Sequence, residues 1–60
     1  MRDSKVNQLM EELTDRQKAI LFLLYTGKTE KEIATIMKVH ENNIKRHARI
    51  ITATATRVLN

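Results

Sequence analysis

A chain of 60 residues makes one domain at most, because so short a polypeptide buries only about 60% of its unfolded surface on folding. It has no Cys, no Pro and a single glycine, Gly27, which excludes disulfides and thiolate metal sites and leaves almost nothing to interrupt helices. The longest apolar run, 19–25, has seven residues, far short of the roughly 20 that span a bilayer, and the N-terminus lacks the basic start and apolar stretch of a signal peptide, so the expectation is a cytoplasmic domain with no membrane association.

Four helices are predicted. The first covers 4–12, with Ser4 as its N-cap and Val6, Leu9, Met10 and Leu13 as one apolar stripe at i, i+3, i+4 and i+7. Thr14 followed by Gln17 is a capping box and opens the second helix, which should end at Tyr25 or Thr26, where Gly27 supplies a left-handed closure. Ile20, Leu21, Phe22, Leu23 and Leu24 are consecutive and cannot share one stripe. Either the first helix or a second subunit is therefore expected to cover the side carrying Phe22 and Tyr25. A second capping box, Thr29 with Glu32, opens a short third helix ending at Met37 or Lys38, with Ile33, Ala34, Ile36 and Met37 as its apolar and small positions. Lys38, Val39 and His40 leave room only for a steep turn before Glu41 starts the last helix, which is a helix-turn-helix arrangement. There Ile44, Ala48, Ile51, Ala55 and Val58 or Leu59 follow helical steps. The alternating Thr52, Ala53, Thr54, Ala55 and Thr56 also fits a strand, but a lone strand would have no partner, and helix is the reading adopted. The fold class is thus all-α, a small bundle of about four helices forming a single domain over 1–60: an extra N-terminal helix over 1–13 and a core over 14–60 with a long C-terminal helix.

Charge is distributed unevenly. Residues 1–37 carry Arg2, Lys5, Arg16, Lys18, Lys28 and Lys31 against Asp3, Glu11, Glu12, Asp15, Glu30 and Glu32, whereas Lys38, Lys45, Arg46, Arg49 and Arg57 face only Glu41, so the second segment holds the whole excess of +4. A basic half fits a polyanion partner and equally a solvated helix face. Across the bend, Ile33, Met37, Val39 and Ile44 supply the inward apolar set of a helix-turn-helix and Ala34 the small residue at the crossing, a pattern that structural hairpins also show.

The stretch from Leu13 to Ile51 resembles the LuxR or GerE type of bacterial transcription regulator, at Leu13-Thr14, Arg16, Ile20-Leu21, Leu24, Gly27-Lys28-Thr29, Lys31-Glu32-Ile33-Ala34, Val39, Ile44-Lys45, His47 and Ile51. Region 4 of bacterial sigma factors resembles it more loosely. The resemblance implies a recognition helix entering the major groove around Lys45. Asparagine pairs bidentately with adenine, and arginine or lysine with guanine, so Asn42, Asn43, Lys45 and Arg46 are the candidate base readers. Arg49, Lys28 and Thr29 are candidate phosphate contacts, Thr29 through a helix N-terminus. The sequence departs from the LuxR type at His40, where a capping serine is usual, at Asn43, where threonine is usual, and over 52–60, which lacks the family's dimerisation segment. No receiver or ligand-binding domain is expected within these 60 residues.

The expected partner is double-stranded DNA, bound by a homodimer formed through Phe22, Tyr25 and the first helix or through Ile50, Val58 and Leu59, with half-sites about 34 Å apart. The alternative is a protein-interaction module on the same scaffold, a partner or antagonist of another regulator or of RNA polymerase. No cofactor, metal or catalysis is expected. His40 and His47 are seven residues apart, about 10 Å along a helix, and zinc–nitrogen bonds are about 2 Å. Ser4, the sole serine, has no recognisable base beside it. Met1 reads as an initiator, Met10 and Met37 as core fillers, His40 as a turn residue and His47 as a packed or phosphate-near one.

Overall fold

The computed structural model describes residues 4–60; Met1, Arg2 and Asp3 lie outside them. The chain forms α1 (Ser4–Glu12), α2 (Asp15–Tyr25), α3 (Glu30–Met37) and α4 (Glu41–Leu59), with no strand among the described residues. At 19 residues α4 is the longest element, about 28 Å, and the other three helices all pack along it. It therefore sets the long dimension of a 35 × 20 × 17 Å molecule.

Helix starts are fixed by local hydrogen bonds. The Thr14 hydroxyl accepts from the Gln17 amide at 3.1 Å while the Gln17 side chain accepts from the Thr14 amide at 3.1 Å, and Thr29 and Glu32 repeat the exchange at 3.1 and 2.8 Å. Both capping boxes satisfy amides that a helix start otherwise leaves without partners. Ser4, expected as the cap of α1, lies within that helix.

Two chain reversals share one closure. After α2, the Gly27 amide donates to the Leu24 carbonyl at 3.0 Å and the Lys28 amide to Leu23 at 3.1 Å, with Gly27 at φ +95. After α3, the Lys38 amide donates to Thr35 at 3.3 Å and Val39 to Ala34 at 3.0 Å, and Lys38 takes the left-handed position at φ 60, ψ 44. Both are Schellman closures, one made by the residue suited to it and one by a lysine that must tolerate it.

The core consists of Leu9, Leu13, Ile20, Ile33, Ala34, Ile44, Ile51 and Val58, with Leu21, Leu23, Leu24, Met37, Val39 and Ala55 packed around it. Ile20, Ile33 and Ile44 are wholly buried, one each from α2, α3 and α4, and Ala34, the small residue expected at the crossing, is buried with them. The threonine-alanine alternation of 52–56 is helical, because Ile51, Ala55 and Val58 continue the inward line of α4.

The structure narrows several expectations. Of the two covers expected for the side carrying Phe22 and Tyr25, α1 is not one: it packs on α4 and leaves Phe22 64% and Tyr25 88% exposed. Ile36 points outward from α3, and Val6 and Leu59 are exposed as well, whereas Val58 is buried and cannot serve a surface contact. α1 is held at its far end by Arg57, whose guanidinium donates to the Glu12 carboxylate across 45 positions of sequence.

Candidate nucleic-acid interface

The α3–α4 turn positions the start of α4. His40 is not merely a turn residue: its backbone is extended at φ −71, ψ 145 and its Nδ1 accepts from the Asn42 amide at 3.0 Å. An imidazole thus performs the capping that serine or threonine usually provides, and the departure at this position keeps the helix start intact. Ile44 and Ile51 then anchor one side of α4 in the core.

With 3.6 residues per turn, Asn42, Lys45, Arg46 and Arg49 occupy an arc of about 100° centred opposite the Ile44–Ile51 line, and all four are exposed. Asn43 is also exposed but lies about 60° beyond Arg46, beside Ile50, at the edge of that face. Lys45 and Arg49 line a shallow cleft of about 380 Å³ with Glu30, Ala48 and Thr52, which joins the middle of α4 to the first turn of α3. Lys28 and Thr29 are exposed at that same α3 start.

Acidic groups temper this surface in ways the helix-by-helix reading missed. Glu41 pairs with Lys45 at 3.8 Å, in the i to i+4 order that suits a helix; the spacing alone could have revealed it. Glu30 enters the cleft beside Lys45 and Arg49. Glu32 occupies the α3 start, where hydrogen bonds from the backbone amide and hydroxyl of Thr29 hold its carboxyl below the usual glutamate value. The Thr29 amide is therefore already satisfied internally. Arg57 belongs to the α1–α4 contact, while Arg46 and Arg49 make no ion pair among the described residues. His47 is half-buried with a buried Nδ1 that makes no hydrogen bond, so it sits on the packed side of α4, away from the basic face. Among the described residues no cluster of His, Asp or Glu could hold a metal ion, and no helix is long and apolar enough to cross a membrane.

The model of the sigma-70 region 4 family matches residues 4–49, from the first turn of α1 to the last residue of the basic arc on α4. The chain belongs to the sigma-70 region 4 family. No curated protein and no solved structure matches it. Sigma-70 region 4 is a family of helix-turn-helix DNA-binding domains that also bind RNA polymerase, not a family of enzymes. It is the looser of the two resemblances in the sequence, and the LuxR or GerE type is not the one that the family model matches. The match takes in α1 as well as the helix-turn-helix, since it begins at Ser4.

Proposed function

We propose that this region 4 domain is a sequence-specific regulator that reads duplex DNA with the first half of α4 in the major groove. The observation that carries this reading is the arc of Asn42, Lys45, Arg46 and Arg49 on the side of α4 opposite its buried isoleucines. A helix presents base-reading side chains usefully only when its other side is held rigidly, and here Ile44, within five positions of each of them, is wholly buried. Asn42, Lys45 and Arg46 have the donor and acceptor groups to read base edges, and Asn43, from the edge of the arc, reaches the flank of the site. Arg49, Lys28 and Thr29 set register on phosphates, Thr29 by exchanging its capping-box bonds with Glu32 for the phosphate. RNA polymerase, or another regulator, is the protein partner proposed alongside DNA, in keeping with the family.

The test is binding of the pure protein to genomic fragments across a salt series, with sequencing of the bound pool. One short site should be enriched, with affinity falling as salt rises. Lys45→Ala and Arg46→Ala should each weaken the enriched site by about 1–3 kcal/mol per lost base contact, whereas Arg49→Ala and Lys28→Ala should weaken all sequences alike and lower the salt slope by about one unit. Weak binding without enrichment, or unchanged affinity in both base-reader variants, refutes the reading.

A further inference from the structure

An open apolar groove lies away from the basic arc. Val6 and Met10 of α1, Lys18, Leu21, Phe22 and Tyr25 of α2 and Leu59 of α4 line this groove of about 550 Å³. Phe22 and Tyr25 stand out on its α2 wall, far more exposed than large aromatic side chains in a small domain need be. We propose that a second copy of this chain covers the groove, with the two α2 helices packed antiparallel about a twofold axis.

The exposed stripe of α2 is complementary to itself in one register. Asp15, Lys18, Ala19, Phe22 and Tyr25 are all exposed and fall within an arc of about 120°. A twofold axis level with position 20 sets Asp15 against the partner's Tyr25 and Lys18 against the partner's Phe22, twice each by symmetry. In that arrangement the phenol hydroxyl donates to a carboxylate and an ammonium lies over an aromatic face. The Lys18–Asp15 pair within one chain is long, at 4.0 Å, so both groups are available to these contacts. Ala19, beside the axis, lets the helices approach closely.

The area is sufficient for a weak dimer. Phe22 and Tyr25 together expose roughly 300 Å² per copy, about half of the roughly 600 Å² per partner at the lower bound of a specific interface. Val6, Leu59, Ala19 and the Lys18 stem lie beside them to supply the remainder. An interface at that bound belongs with the weak, transient class.

Sedimentation equilibrium of the whole chain from low to high micromolar concentration tests the proposal without DNA. The native protein should pass from monomer to dimer over that range and Phe22→Glu should stay monomeric while keeping its helical circular dichroism. Tyr25→Phe, which removes only the hydroxyl, should weaken the dimer several-fold. Because the chain has no cysteine of its own, a second measurement reads the register: Ala19→Cys should form a disulfide-linked dimer under mild oxidation much faster than Lys31→Cys, which lies on α3 away from the groove. A protein that remains monomeric throughout, or equal cross-linking of the two cysteine variants, overturns the proposal, and the first result would leave the groove to a different protein.

Discussion

The two Schellman closures allow a reciprocal test of how the turns are held. Gly27 sits at φ +95, and a Cβ placed there meets nothing within 4 Å, so Gly27→Ala is opposed by backbone strain alone. The left-handed conformation costs a non-glycine residue about 1–2 kcal/mol, and the stiffer unfolded chain of alanine returns about 0.4–1 kcal/mol. The net loss is about 1 kcal/mol. Lys38 adopts the same conformation at φ 60, ψ 44, so Lys38→Gly reverses both quantities and should stabilise the fold by about 0.5–1 kcal/mol. For a domain of this size 1 kcal/mol moves Tm by about 4–8 °C; thermal melts followed by circular dichroism should show Gly27→Ala lowered and Lys38→Gly raised. A β-branched residue at position 38 should lower Tm, since its side chain tolerates the left-handed region least. If Lys38→Gly melts below the native protein, left-handed strain is not what limits the α3–α4 turn, and the account of both closures fails.

Ile44→Ala, at a wholly buried position where α4 meets the core, should cost about 2–5 kcal/mol, enough to unfold much of so small a domain; an urea midpoint near the native value would show that the core had been misplaced. The Arg57 guanidinium, through its hydrogen bond and charge, holds the Glu12 carboxyl below the usual glutamate value. A carboxyl lowered on folding contributes stability that is present above its unfolded pKa and is lost as pH falls through the folded one, so α1 should loosen from α4 on the acid side of the carboxylate range. An NMR titration of Glu12 should move up toward the ordinary value in Arg57→Ala, and an unchanged titration would discount the ion pair. Glu41→Gln releases Lys45 from its 3.8 Å partner and removes a negative charge from the proposed DNA face, so it should tighten binding to random-sequence DNA, most clearly at low salt; weaker binding would mean that Glu41 supports the interface instead.

Much of the fold is legible in the sequence because its boundaries are local. Thr14 with Gln17 and Thr29 with Glu32 close hydrogen-bonded rings over three residues, so each helix start is written in four consecutive letters. Gly27 marks one closure by its identity. The other, at Lys38, is visible only as a shortage of residues between two helices: nothing about a lysine announces a positive φ. His40 shows the same limit, since its imidazole caps α4 by geometry that residue preference does not anticipate.

What the sequence hides depends on partners far along the chain. Five successive apolar residues, 20–24, demand more than one covered side, but they do not say by what. The answer for Ile20 is α3 and α4, while Phe22 is left to solvent because α1 is drawn instead to α4 by Leu9, Leu13 and the Glu12–Arg57 pair. That pair also explains why the basic excess of the C-terminal half overstates the DNA face: Arg57 answers an acid 45 positions away, Lys45 answers Glu41 one turn back, and Glu30 arrives from another helix. The positive charge left without an ionic partner on the arc is that of Arg46 and Arg49. A surface with so little uncompensated charge gains modestly from phosphates alone, so Asn42, Lys45 and Arg46 must contribute through base contacts if the domain is to hold a site at physiological salt. Its specificity should therefore be high relative to its affinity, and a second α4 supplied by dimerisation through α2 would raise affinity without adding charge to either one.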